Sequence, residues 1–218
     1  MKLSNRILSL LSCAAILSLA PVAHAGIING TVWEGATFYP NNLPASAPPA
    51  SFTNSTTFTL TGSGNMFNFQ SGTSNNLVTD PTYTLLGFLQ SGGDVATLAN
   101  PALGGDSINN DMFQFTGQTF LTAGVTYTIN HDDGMYLYLD GIQVISSGAP
   151  TVDIPSSFTV ATTGIYNFNL LYGEVNGAPG DLNGNLGTIL PTPEPNSLML
   201  LGTGVLGAAG MLRRRLFA

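Results

Sequence analysis

His131, Asp132, Asp133 and Gly134 stand together in the middle of the chain, between two alternating apolar runs. Two adjacent carboxylates repel each other, and a hard divalent cation such as Ca²⁺ relieves that repulsion with oxygen ligands. The same four residues also suit a plain turn, because Asp and Gly are turn formers and need no function between strands. Residue types and spacing leave both readings open.

Other chemistry is narrowed by what surrounds the motif. From Gly26 to Pro191 the only His is His131, and Cys, Lys and Arg are absent. No G-x-S-x-G elbow accompanies the histidine, which argues against a Ser-His-Asp system. One His with scattered acids is a poor zinc set, and phosphoryl transfer lacks its usual cationic clamp. A glycoside hydrolase built from acids alone is arithmetically possible. Sequence neighbours such as Asp132 and Asp133 are, however, badly disposed to flank a sugar ring. The sequence therefore reads as a non-enzyme, with an acid-only hydrolase as the least favoured alternative.

The elements that must hold the motif are strands. Val125, Tyr127 and Ile129 alternate with Thr126 and Thr128, and Met135, Leu137 and Leu139 alternate with Tyr136 and Tyr138. Asp140-Gly141 is a two-residue hairpin signal leading to Ile142–Ile145, so residues 124–145 read as a β-meander. Further strands are expected at Thr31–Tyr39 (broken at Gly35), Ser51–Thr61, Asn65–Gln70, Val95–Leu98, Met112–Thr116, Phe158–Ala161 and Ile165–Tyr172. Tyr83–Gln90 is ambiguous between strand and short helix. Trp33 is expected to anchor the core. Asp181-Leu182-Asn183-Gly184-Asn185 echoes the start of an EF-hand loop, but Leu186 and Thr192 occupy the positions that need Gly and an acid. The expected class is all-β, an antiparallel β-sandwich or barrel.

Charge sharpens the picture. All five Lys and Arg lie at the two ends of the 218-residue chain, whereas eleven of the twelve Asp and Glu lie between Gly26 and Pro191. Such a surface repels phosphate backbones, which excludes nucleic acid as a partner. Buried carboxylates there must find backbone N–H groups, water or a metal ion.

The ends read as targeting segments. Lys2 and Arg6, the apolar run Ile7–Leu19 and Ala23-His24-Ala25 form a removable signal helix cleaved after Ala25. Cys13 offers an alternative lipoprotein-type site, after a rather short apolar run. Leu198–Leu212, followed by Arg213-Arg214-Arg215, is a short apolar helix, and its arginines are expected on the cytoplasmic side. The organisation is thus a signal peptide at 1–25, an exported β-domain at 26–190 and a sorting or anchor segment at 191–218.

Two resemblances follow from these residues. Pro193-Glu194-Pro195, the apolar run and the arginine cluster resemble a PEP-CTERM sorting signal. That implies export, transient insertion in the inner membrane, exosortase cleavage near Pro193–Pro195, and delivery to the surface or exopolysaccharide matrix of a Gram-negative-type bacterium. Gly124-Val125-Thr126-Tyr127, His131-Asp132-Asp133-Gly134 and Tyr136-Leu137-Tyr138-Leu139-Asp140-Gly141 resemble the PA14 domain over about residues 105–175. In lectin members of that family an Asp-Asp pair joined by a cis peptide binds Ca²⁺, which in turn binds vicinal sugar hydroxyls. The resemblance places Asp132 and Asp133 on the ion, Asn176 as the downstream loop ligand, and His131 at the rim of the carbohydrate site.

The expected protein is an exported, non-catalytic, calcium-dependent carbohydrate-binding module of the cell envelope, with a glycan or exopolysaccharide as partner. The alternative is a structural biofilm-matrix protein without a specific ligand.

Overall fold

The computed structural model describes residues 26–36, 41–62, 66–175 and 177–191. Among these described residues, twelve strands form two antiparallel sheets. They are β1 (Gly26–Glu34), β2 (Asn54–Gly62), β3 (Met66–Gln70), β4 (Val95–Leu98), β5 (Asp111–Leu121), β6 (Tyr127–Asp132), β7 (Met135–Leu139), β8 (Ile142–Ser147), β9 (Ile154–Phe158), β10 (Gly164–Glu174), β11 (Asp181–Asn185) and β12 (Thr188–Ile189). The larger sheet runs β4-β2-β1-β5-β10-β7-β8, with β12 also paired to β5, and the smaller runs β3-β11-β6-β9.

Period-two alternation gives each sheet one apolar face, and the two faces meet. Phe113 and Phe115 of β5, Phe168, Leu170 and Tyr172 of β10, and Met135 and Leu137 of β7 pack against Phe67 and Phe69 of β3, Ile129 of β6 and Leu182 of β11. Phe115 lies at the centre. Its ring meets Phe58 at 5.4 Å, Phe67 at 5.5 Å and Phe69 at 5.4 Å, the first two edge-on and the third stacked. Phe115→Ala is expected to cost about 3–5 kcal/mol in urea unfolding, because it opens a cavity among the rings at the centre of the core.

Trp33 points to the other side of the large sheet. There it joins Met112, Tyr136, Leu171 and Val175 beneath Ala36 and Leu43, so it does anchor a core, though the smaller one. The covering segment is fastened by Leu43 N–H donating to the Gly148 carbonyl at 2.7 Å and by the Tyr138 hydroxyl donating to the Ala45 carbonyl at 2.8 Å.

Several expectations are met closely. Asp140 (φ 48°) and Gly141 (φ 81°) both take the left-handed conformation and turn β7 into β8, as a type I′ hairpin requires. Other boundaries differ. Tyr83–Gln90 resolves into a 3₁₀ turn, Pro81–Tyr83, and a six-residue helix α1, Leu85–Gln90. The strand expected at Phe158–Ala161 instead ends at Phe158 and begins at Ile154, with Pro155 accommodated because β9 is an edge strand. Residues 181–185 are strand β11, not a metal-binding loop.

The expected meander is the main correction. β6 and β7 do not pair: β6 belongs to the small sheet, between β11 and β9, and β7 to the large one, between β10 and β8. Asp132-Asp133-Gly134 is therefore a corner that carries the chain from one sheet to the other. Alternation in a sequence fixes which residues share a face but not which strand lies alongside.

Candidate functional site

Three carboxylates converge at this corner. Asp132, Asp133 and Glu174 each place an oxygen within 4.8 Å of the others. Asp132 ends β6, Asp133 begins the passage to β7, and Glu174 ends β10. Tyr172 pairs with Met135 across β10 and β7, which brings Glu174, two residues on, level with Asp133, two residues back. The Asp132–Asp133 peptide bond is cis.

Asp133 is held from both sides. Its Oδ1 accepts the Thr151 N–H and its Oδ2 accepts the Val175 N–H, each at 2.8 Å. Its own N–H donates to the Gly173 carbonyl at 3.3 Å, and the Gly173 N–H donates to the Gly134 carbonyl at 3.0 Å. Glu174 receives the Tyr83 hydroxyl at 3.1 Å on Oε1 and the Tyr172 hydroxyl at 3.3 Å on Oε2. Tyr172 also donates to the Asp132 carbonyl. The loop after Val175 is tied back by Gly180 N–H to Ser71 Oγ at 2.7 Å and by Ala178 N–H to Asn75 Oδ1 at 2.5 Å.

The electrostatics are those of acids crowded without a counter-ion. Burial, followed by the Asp133 charge, pushes the Asp132 carboxyl up to about 7. Burial and then Asp133 push Glu174 up to about 10, against the opposing effect of the Tyr83 and Tyr172 hydroxyls. Burial raises Asp133 as well, while the Val175 and Thr151 N–H groups pull it down. Asp181, which pairs with Asp132 across β11 and β6, is raised to about 6 by burial and then by Asp153. Three clustered hard oxygen donors, held by backbone and tyrosine and lacking any cationic side chain, fit a Ca²⁺ ion better than any softer metal.

The positions singled out by sequence fare differently. Asp132 and Asp133 place their carboxylates in one cluster with Glu174. His131 is not at an open rim. It is fully buried in the small sheet, where one ring nitrogen contacts Ser156 Oγ at 2.9 Å and the other the Asp133 carbonyl. Burial lowers its pKa, so the ring is a neutral brace behind the carboxylates. Asn176, the cleavage residues Ala25, Pro193, Glu194 and Pro195, and both targeting segments lie outside the described residues. Among the described residues, no helix is long and apolar enough to cross a membrane.

Glu174 stands out in the sequence only as one of several oxygens in the turn-dense tail and is not placed on the ion there, although a further signal was present. Tyr166, Phe168, Leu170 and Tyr172 share one face of β10, and Glu174 continues the same phase. An acid in step with a buried face needs a partner. A separate groove of about 450 Å³, lined by Asn29, Thr116, Gln118 and Asn167 among others, lies on the large sheet. Asn167 is seven residues, roughly 23 Å, from Glu174 along β10, so the groove is remote from the acids.

Comparison with known proteins gives one match to a sequence motif and several likenesses of fold. Residues 191–215 match the PEP-CTERM protein-sorting motif, which implies export and sorting to the cell surface. No curated protein matches the chain. Among solved structures, the fold is similar to the PA14 domain of the MpAFP antifreeze protein. That likeness has 20% identity over 76% of this chain and 82% of that one, with a TM-score of 0.48. The fold is also similar to a PA14 sugar-binding domain from an RTX adhesin, at 19% identity, 72% and 87% coverage and a TM-score of 0.45. A β-glucosidase from Kluyveromyces marxianus is similar at 12% identity and a TM-score of 0.33, with 82% of this chain matching 18% of the enzyme. At these identities the likeness concerns the fold alone.

Proposed function

We propose that the chain is a non-catalytic, surface-sorted module that binds carbohydrate through a Ca²⁺ ion held by Asp132, Asp133 and Glu174. The observation that carries this reading is the convergence of those three carboxylates to within 4.8 Å in a domain with no Lys or Arg between Gly26 and Pro191. Ca²⁺ takes six to eight oxygens at about 2.3–2.6 Å, so the three acids leave positions for Asn176, for backbone carbonyls and for ligand. An ion left partly uncovered can accept two vicinal hydroxyls of a sugar, which is how the PA14 lectins that the His131–Gly134 motif resembles use theirs. His131 and the two tyrosines position the acids and do not touch the sugar. Exosortase processing at Pro193–Pro195 and delivery into an exopolysaccharide matrix complete the reading.

The test is retention of the full-length chain, in detergent, on immobilised exopolysaccharide. Retention is expected in Ca²⁺, with elution by EGTA. Asp132→Asn is expected to weaken Ca²⁺ binding by at least about 100-fold, since it removes a charged ligand from a site with only three. Calorimetry showing no Ca²⁺ uptake by the unmodified chain overturns the reading. Ca²⁺ uptake without retention on any polysaccharide would leave a structural role for the ion.

A further inference from the structure

A second group of acids lies beside the first, and the proposed function does not use it. Trp33 of β1 pairs with Met112 of β5, so the next residue on β1, Glu34, faces Asp111, the residue before Met112. Asp111 in turn pairs with Glu174 of β10. Glu34, Asp111, Glu174 and Asp133 thus form one row across β1, β5, β10 and the corner that leads into β7, all on the inner side of the large sheet and all buried. Like charges placed directly opposite across strands are destabilising.

Glu174 and Asp133 have hydroxyl and N–H donors, but the other two do not have enough. Asp111 is 1% exposed, and one of its oxygens accepts only the Gly35 N–H, at 3.3 Å. Its Oδ2 has no partner at all. Glu34 is 8% exposed, and its Oε1 likewise has none. Buried carboxylate oxygens without donors are rare and costly, and each calls for a reason. The charge of Asp106, an exposed residue on the loop before β5, acts on both. Gly35 (φ 64°) turns the chain directly after Glu34, which brings its N–H over Asp111.

We propose that Glu34 and Asp111 hold a second divalent cation of the Ca²⁺ class, through Glu34 Oε1 and Asp111 Oδ2. It lies two strands along the row from the Asp132–Asp133–Glu174 ion. Asp106 does not close on the pair as tightly as the first three acids close on one another. The buried pair therefore binds the ion directly, and the charge of the exposed Asp106 adds to the field that draws a cation there. The two ions share the β5–β10 strand pair, so occupancy of one firms the strand ends that carry the other. The assignment stands on the orphaned oxygens of Glu34 and Asp111 and does not need the sugar-binding role of the first ion.

Equilibrium dialysis of the full-length chain in detergent against Ca²⁺ tests this. Two equivalents are expected for the unmodified chain. One is lost in the Glu34→Gln/Asp111→Asn double variant, and the other is lost in Asp132→Asn. A single equivalent that survives the Glu34→Gln/Asp111→Asn change overturns the second site and leaves the first intact; the pair is then neutralised by a proton. A single equivalent lost with that change and kept in Asp132→Asn supports the second site and overturns the first. No uptake overturns both. If the double variant fails to fold, Tb³⁺ luminescence titration of the Asp132→Asn chain decides. One saturating equivalent supports the second site, and none overturns it.

Discussion

Asp133→Ala is expected to lower stability by about 3–5 kcal/mol and to abolish Ca²⁺ binding at the Asp132–Asp133–Glu174 site, whereas Asp132→Ala abolishes binding at that site and leaves the ion-free protein as stable as before or more so. The two residues are neighbours with opposite structural duties. Asp133 accepts backbone N–H groups from two segments far apart in sequence, Thr151 and Val175, both at 2.8 Å. Each is a charge-assisted bond worth about 1.5–3 kcal/mol, and removing the acceptor also leaves an N–H without its partner at a buried position. Asp132 is half-buried, with its carboxyl pushed up to about 7 by burial and by Asp133. Without a cation its negative charge is a cost, so truncation relieves repulsion. Urea unfolding of both variants in EGTA, alongside calorimetric Ca²⁺ titration, checks the contrast. Equal destabilisation by the two changes would show that Asp133 does not carry the corner in this way.

How much of this was legible in the sequence depends on the kind of information asked for. The faces of strands were readable, because alternation is local: Phe113 and Phe115, or Leu137 and Leu139, declare their side by spacing alone. The Asp140-Gly141 turn was readable because its two left-handed residues restrict the choice of side chain. Strand partners were not readable. Residues 124–139 look like a hairpin, yet β6 and β7 lie in different sheets, since a tight corner and a tight turn draw on the same Asp and Gly residues. Helix α1 was ambiguous because six residues, LLGFLQ, complete fewer than two helical turns and show no clear period.

The site was half legible for the same reason. Asp132 and Asp133 stand out as neighbours in the chain. Glu174, Asp111 and Glu34 join them only through pairing of β10, β5 and β1, across gaps that no local pattern bridges. What did carry the information was phase: each of these acids continues the buried face of its strand, after Tyr172, before Phe113 and after Val32 respectively. A carboxylate in step with a core face, with no Lys or Arg between Gly26 and Pro191 to meet it, must be met by backbone donors, by a proton or by a cation from outside the chain.

That reasoning has a consequence for pH. A carboxyl whose folded pKa lies above its unfolded value binds more protons in the native state, so stability is greatest at low pH and falls as pH rises. Starting from an ordinary value of 3.8, Asp181 is raised to about 6 and Asp132 to about 7. In EGTA the protein is therefore expected to be most stable near pH 4 and to lose roughly 5 °C or more of melting temperature by pH 8. Glu174, raised to about 10, extends the decline into alkali. Ca²⁺ reverses the trend, because it binds the deprotonated acids and is excluded by protons. At a Ca²⁺ concentration one hundred times Kd it adds about 2.7 kcal/mol, roughly 5–10 °C for a chain of this size, and most of that gain appears above pH 7. Scanning calorimetry between pH 4 and 9, with Ca²⁺ and with EGTA, is expected to give two curves that meet in acid and separate in base. Parallel curves, offset equally at every pH, would mean that the ion binds somewhere other than these carboxylates.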